Sequence, residues 1–253
     1  MPDIFMLSDK NRARQTISLC EQLRGMGYEG RLGILLLDSI ERKTQARLFR
    51  CNAELEIADI KFQERNIKRS GLKMWLPHYF RAQDYVLLDT DHIILSKEFF
   101  NAVKCSRGRV GLVQESEVVW EENFKGVPYL YNDIIGKSIL QTGLISIERQ
   151  LWQEIFADIE KLIINDSSEY GDQVALNQFF YINDCLLHSL PEEVSLVLRP
   201  SGKGRSTKAH IRYLMWDSRC LMYKGSFVLS IHYTNSDGKL HRLEDFKSLE
   251  IDE

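Results

Sequence analysis

Short unbroken apolar runs alternate with longer stretches in which apolar positions recur every three or four residues, and this alternation organises the first third of the chain. Ile4 to Leu7 is such a run, of a length that suits a buried strand. Asp9 to Asn11 supplies turn residues, and Arg12 to Arg24 has helical spacing that stops at Gly25. Leu32 to Leu37 repeats the strand signal, with Asp38 and Ser39 as candidate caps for a helix through Arg50. Leu55 to Ile60 alternates and is expected to form a third strand. Leu72 to Phe80 is an aromatic-rich packing segment interrupted by Pro77, and Tyr85 to Leu88 is the strand that follows it. Further on, Val110 to Gln114 and Gly143 to Ile147 read as strands, and Arg149 to Ile164 as an amphipathic helix. Asp172 is placed to cap a helix over Gln173 to Cys185, and a strand over Phe227 to Ile231 presents His232.

Strands alternating with helices predict an α/β fold around a central, mostly parallel sheet. In such sheets ligands sit beyond the carboxyl ends of the strands, and Asp9, Asp38, Asp89 and Asp91 all fall there. A length of 253 residues suits one sizeable domain. With 44% apolar and 27% charged residues the composition is that of a folded globular enzyme. The formal charge of −3 offers no general attraction to nucleic acid, so affinity for phosphate has to come from a local site. Cys20, Cys51, Cys105, Cys185 and Cys220 lie far apart without a zinc or redox spacing, and are expected to be reduced and mostly packed. The N-terminus lacks the basic flank and apolar core of a signal peptide, and no run reaches the ~18 to 20 apolar residues of a membrane span. A cytoplasmic location is expected, with peripheral membrane contact left open.

Chemistry concentrates where Tyr85-Val86-Leu87-Leu88 ends in Asp89-Thr90-Asp91. Paired carboxylates at a strand end can hold a hard divalent ion that neutralises a diphosphate leaving group. Both lie on one face if the strand continues, so they share one ion only if the chain bends or water intervenes. A chain this rich in aspartate contains about one Asp-x-Asp by chance, and a solvated turn is the competing reading. His232 is a third candidate ligand that would favour manganese, although imidazoles at strand ends are commonly just hydrogen-bonded. Lys239 after Gly238 can meet a phosphate as a point charge or be an exposed turn lysine. Asp172 and Gln173 stand at a predicted helix start, where capping competes with catalysis. Gln141 and Gly143 flank a point where a sugar hydroxyl can approach the backbone, or an ordinary turn before a strand. The segment Arg199 to Arg212, with Pro200, Gly202, Gly204 and many cations, is a candidate mobile lid or a solvated loop.

Taken in order, these segments resemble the family-eight retaining glycosyltransferases of the GT-A fold, the group containing glycogenin and bacterial lipopolysaccharide galactosyltransferases. Phe5-Met6-Leu7-Ser8-Asp9-Lys10-Asn11 is similar to the family's opening strand and acidic turn. Val86 to Asp91 is similar to its Asp-x-Asp strand, and Gln141-Thr142-Gly143 with Trp152 to its Asn-small-Gly segment and helix tryptophan. Gly171-Asp172-Gln173 is similar to its Asp-Gln element, and His232-Tyr233 with Gly238-Lys239 to its final histidine and lysine. Two positions depart from the pattern: Gln141 stands for the usual Asn, and Leu240-His241 for the usual Pro-Trp.

The resemblance implies a single GT-A type, Rossmann-like domain over 1–253, with a nucleotide-binding half over about 1–114 and a donor-sugar and acceptor half over about 115–253. It implies transfer of a hexose, with retention, from a nucleotide diphosphate sugar, most often uridine-linked. Asp89, Asp91 and His232 would hold Mn2+ or Mg2+, while Asp9 and Asn11 would contact the base or ribose. Lys239 and Gly238 would meet the diphosphate, Gln141 and Gly143 the donor sugar, and Asp172 and Gln173 the transferring centre. The acceptor, a glycan, lipid-linked or protein hydroxyl, is not named by any motif. Two other classes compete: a haloacid-dehalogenase-like phosphatase with Asp89 as nucleophile, and a nucleotide-sugar binding module without turnover. A nucleotidyltransferase would want glycines after the first strand, and Ser8 to Arg12 has none.

Overall fold

The computed structural model describes residues 1–58, 69–119, 136–165, 172–199, 201, 205–217, 220–233, 239–247 and 249. The chain opens as the apolar pattern predicts, with β1 (Ile4–Ser8), helix α1 (Ala13–Gly25), β2 (Leu32–Leu36), α2 (Arg42–Arg50) and β3 (Ala53–Ile57). Helix α1 starts where the Asp9 carboxylate accepts the Asn11 and Arg12 amides at 2.8 and 2.9 Å. α2 begins later than Asp38 and Ser39 suggest, at Arg42 after Glu41, whose own side chain makes no capping hydrogen bond. β3 lies two residues before the expected strand, and 59–60 fall outside the described residues. The aromatic segment becomes a 3₁₀ helix over Arg69–Trp75 and a helical turn over Leu76–Tyr79, with Pro77 in the first turn where its missing N–H costs nothing.

Next come β4 (Asp84–Leu88), β5 (His92–Ile94), β6 (Val110–Val119), β7 (Ser138–Glu148), α3 (Arg149–Asn165), α4 (Asp172–Ile182), β8 (Leu187–Leu190) and β9 (Leu196–Val197). The chain closes with α5 (Arg205–Ile211), β10 (Leu214–Asp217), β11 (Cys220–Tyr223), β12 (Ser226–Phe227) and β13 (Ser230–His232). The main sheet has seven strands in the order β3-β2-β1-β4-β7-β6-β8. β7 runs antiparallel to both β4 and β6, while the remaining pairs are parallel, so the sheet is mixed and mostly parallel as expected.

Period-two alternation sorts the strand residues onto two cores. Ile4, Met6, Ile34, Val86 and Leu88 face α1 and α2, while Phe5, Leu35, Tyr85, Leu87 and Ile145 face the 3₁₀ segment, α3 and α4. Each fully buried apolar side chain contributes roughly 1.5–3 kcal/mol relative to exposure. Trp152 is fixed on the second side by its indole N–H, which donates to Met74 O at 3.0 Å. A third cluster lies under two small sheets, one ordered β5-β13-β9 and the other β10-β11-β12.

Several expectations change here. β7 extends from Ser138, so Gln141 and Gly143 lie inside a strand and not in a turn before one. The strand expected over Phe227 to Ile231 is two short strands, β12 and β13. Arg199 to Arg212 is not simply a loop: it contains α5, and His210 is fully buried against Val197 O at 2.8 Å. Cys20 and Cys51 are packed and Cys105 half-buried, but Cys185 and Cys220 are exposed. Among the described residues no helix is long and apolar enough to cross a membrane.

Candidate functional site

Where β4 ends, the chain leaves the main sheet. The Asp89 amide donates to Gly143 O of β7 at 2.8 Å, and the chain then turns through Thr90 and Asp91 into β5 of a different sheet. That turn is the bend two carboxylates need if they are to face one point. β5 pairs antiparallel with β13 in a register that sets His92 opposite His232. The Tyr233 amide donates to Asp91 O at 3.0 Å and fixes the other side of the turn.

The result is a cluster drawn from distant parts of the chain. His232 Nε2 lies 3.3 Å from Asp91 Oδ1 and 3.8 Å from Asp89 Oδ2. Ligands about 2.1 Å from an ion and at right angles to each other stand about 3 Å apart, close to the Asp91–His232 spacing. Two carboxylates and an imidazole also match manganese in donor type. Burial alone would lower the His232 pKa, but Asp91 first and Asp89 second raise it above the ordinary histidine value. Gly143 makes room for this ring, because a Cβ there would overlap Cε1 and lie 2.5 Å from Nδ1.

Two residues at this site carry no motif. Lys73, 2% exposed, comes from the 3₁₀ segment and donates to Asp89 Oδ1 at 2.8 Å and to the Thr142 carbonyl, with Asp172 Oδ2 at 3.6 Å. Burial works against its charge, but the Asp89 and Asp172 carboxylates outweigh it and hold the pKa above the usual lysine value. Asp172, the first residue of α4, is pushed up to about 6 by burial, with Lys73 opposing the shift. His92 lies flat against His232, with ring centroids 4.5 Å apart and planes within 6°. Asp91, His92 and His232 form a compact group of metal-ligand type. Both His92 nitrogens are already engaged, however, Nδ1 with Asp89 O at 3.0 Å and Nε2 with Ser195 Oγ at 2.9 Å. Asp89 reaches His232 from outside that group, through Oδ2 at 3.8 Å.

The other candidates stand at varying remove. Asp9 is buried and caps the turn at Asn11, which is exposed. Gln141 is 3% exposed and lies beside the buried Glu115 carboxyl. Gln173 is partly exposed, and its carbonyl accepts from Asn177 Nδ2 at 2.8 Å. Lys239 has an exposed side chain, and its carbonyl accepts from Gln15 Nε2 at 2.9 Å. Gly238 and Gly171 lie outside the described residues, as do 120–135.

No protein-family profile and no curated protein sequence matches the chain. Solved structures do. The galactosyltransferase LgtC, in complex with donor and acceptor sugar analogues, superposes with a TM-score of 0.64 at 14% identity, covering 98% of this chain and 92% of LgtC. WbbM, a bifunctional glycosyltransferase, gives 0.63 at 17% identity over 93% of this chain and 46% of WbbM. The glycosyltransferase GlyE of Streptococcus pneumoniae TIGR4 gives 0.56 at 17% identity over 94% of this chain and 56% of GlyE. The chain thus spans most of LgtC but only about half of WbbM and GlyE. At these identities the likeness establishes the architecture: the chain has the GT-A fold of glycosyltransferases.

Proposed function

We propose that this protein is a metal-dependent retaining glycosyltransferase that moves a hexose from a nucleotide diphosphate sugar, with uridine as the base, to an acceptor hydroxyl. The observation that carries the reading is that His232 Nε2 stands 3.3 Å from Asp91 Oδ1 and 3.8 Å from Asp89 Oδ2 in a chain with the GT-A fold. In this reading those three side chains hold Mn2+, or Mg2+ in its place. When bound, the ion supplies positive charge to the departing diphosphate.

The chain's own residues do the rest. Asp9 and Asn11, at the carboxyl end of β1, are assigned to the base and ribose, and Lys239 and Gly238 to the diphosphate. Lys73 fixes one oxygen of Asp89 and leaves the other toward His232, so the carboxylate is oriented before any ligand arrives. The same ammonium spans Asp89 and Asp172, linking the metal side of the site to the start of α4. Asp172 and Gln173 are assigned to the transferred sugar. Gly143 is assigned to close backbone approach and to the space His232 needs. Gln141, sealed beneath the surface against Glu115, is assigned a supporting part and not direct sugar contact. The likeness to glycosyltransferases over 98% of the chain favours this reading over a phosphatase with Asp89 as nucleophile.

The test is thermal unfolding with uridine diphosphate, with and without Mn2+, followed by donor hydrolysis. A nucleotide at a hundred times its Kd stabilises by about 2.7 kcal/mol, which is roughly 5–10 °C for a chain of this size. Stabilisation that requires the metal, together with release of the sugar from the donor, supports the transferase. Metal-dependent stabilisation without sugar release makes the chain a binding module, and metal-independent or absent stabilisation defeats the site as described.

A further inference from the structure

We infer that His92 is a positioning residue for His232: stacked flat against it, His92 fixes the direction in which Nε2 points between Asp89 and Asp91. The inference rests on the metal site proposed above and concerns a residue that no motif selects. An imidazole that binds a metal through one nitrogen is normally held by a hydrogen bond from the other to a carboxylate, a carbonyl or water. His232 has no such bond, since its Nδ1 is buried without a hydrogen-bond partner. It lies against the bare backbone of Gly143, where a Cβ would come within 2.5 Å of it.

His92 supplies what is missing. The cross-strand register of β5 and β13 puts His92 opposite His232, and the two rings stack with centroids 4.5 Å apart and planes 6° from parallel. His92 is itself immobile. The Asp89 carbonyl can only accept, so Nδ1 carries the proton and donates to it at 3.0 Å, while Nε2 accepts the Ser195 hydroxyl at 2.9 Å. His92 is 3% exposed, so both its hydrogen bonds are shielded from water. The His232 ring is therefore stacked on a pinned aromatic plate and closely bordered by a glycine. Packing does here what a hydrogen bond does elsewhere. An aliphatic side chain at position 92 would fill the volume but offer no flat surface, and the His232 ring could then tilt.

The experiment measures Mn2+ affinity of the chain from the electron paramagnetic resonance signal of the free ion, alongside metal-free thermal unfolding. The variants are His92→Phe, His92→Leu, His92→Ala and Asp91→Ala. His92→Phe keeps the plate and loses both hydrogen bonds, while His92→Leu and His92→Ala lose both the plate and the bonds. All three are expected to unfold at lower temperature, but only Leu and Ala should weaken Mn2+ binding, by about 10-fold or more, with Phe within about 3-fold of wild type. Should Ala fail to fold, Leu retains most of the volume and carries the comparison. Wild-type affinity in His92→Leu overturns the inference, and so does a loss in His92→Phe as large as in Asp91→Ala, which would make His92 a ligand. If wild type takes up no Mn2+, or Asp91→Ala binds as wild type does, the metal site itself is wrong and the inference falls with it. A result in which Asp91→Ala abolishes binding and His92→Leu leaves it unchanged refutes this inference alone.

Discussion

Replacing Lys73 with Met removes a buried cation paired with both Asp89 and Asp172 while keeping an unbranched side chain of similar length. Its Nζ lies 2.8 Å from Asp89 Oδ1 and 3.6 Å from Asp172 Oδ2, and only 2% of the side chain is exposed. Taking one partner from a buried ion pair costs about 3–5 kcal/mol if the other charge has to remain. Two features reduce that figure. The Asp89 side chain is 28% exposed, so water screens part of its charge. Asp172 already titrates at about 6, and protonating it at pH 7 takes about 1.4 kcal/mol per unit of difference. The expected loss at pH 7.5 is therefore about 2–3 kcal/mol. The pH dependence follows from the sign of the Asp172 shift. Its folded pKa stands above the ordinary 3.8, so its contribution to stability is complete below that value and is lost as pH rises through about 6. Without Lys73 the loss continues to higher pH, so the deficit of the variant widens above about 6 and narrows below it. Metal-free urea unfolding at pH 7.5 and 5.5 measures both quantities. A loss below about 0.5 kcal/mol at pH 7.5, or a deficit that grows toward acid, refutes the electrostatic account of the site.

Asp91→Ala should abolish metal-dependent turnover and leave metal-free unfolding within about 2 kcal/mol of wild type; full activity in a donor-hydrolysis assay would remove Asp91 from the ligand set. Gly143→Ala drives a methyl group into the His232 ring, and overpacking of this kind costs about 1–3 kcal/mol. Calorimetry should also show weaker Mn2+ binding in that variant, and unchanged affinity would mean that the ring has room to move. A second buried cluster lies around His210, whose Nε2 is 3.7 Å from Glu192 Oε1 and 3.9 Å from Glu115 Oε2. Burial raises Glu192, but the nearby His210 imidazole and Tyr223 hydroxyl, with the Ser116 amide that donates to Oε1 at 2.6 Å, prevail and bring it to about 2. It therefore adds stability above its ordinary 4.5 that is lost as pH falls through about 2. His210 is shifted upward by Glu192 and Glu115 against the effect of burial, so its contribution is complete below 6.5 and is lost as pH rises through the raised value. Melting temperature followed from pH 6 to 9 should decline in wild type and flatten in His210→Gln, and equal slopes would contradict the pairing.

The elements most legible in the sequence are those whose burial pattern is set locally. β1, α1, β2, β4 and α3 follow from apolar runs and helical spacing, because each presents its core residues at the period of its own backbone. Boundaries set by tertiary pairing were less legible. β7 starts at Ser138 because β6 pairs with it through Val119, and nothing in the residues before Gly143 announces that partner. The basic composition of Arg199 to Arg212 suggested a solvated loop, but His210 finds two carboxylates from β6 and from the turn before β9, which lets α5 bury it. The nearness of His232 to Asp89 and Asp91 was readable from order and type, whereas the place of Lys73 beside them was not. A lysine inside Leu72-Lys73-Met74-Trp75-Leu76 was the available signal, since a cation in so apolar a run has to be paired or reach water.

The position of the site explains why residues so far apart in sequence had to be found by pattern and not by spacing. A carboxylate pair on a continuing strand would share one face but stand too far apart to hold one small ion together. Here β4 pairs in the main sheet up to Leu88, and β5 pairs in another from His92, so the three residues between them bridge two hydrogen-bonding frames. The turn is over-determined: Gly143 O holds the Asp89 amide, the His92 ring holds the Asp89 carbonyl, and the Tyr233 amide holds the Asp91 carbonyl. With the backbone fixed at three points, the Asp89 and Asp91 side chains have few orientations to lose when a ligand binds, which favours affinity. The same seam brings in β13, so His232 arrives through sheet pairing and its distance along the chain from Asp91 costs the site nothing once the fold has formed. Movement of β13 relative to β4 would therefore disrupt the ligand set before it disrupted either core, because His232 is supplied by one sheet and Asp89 by the end of the other.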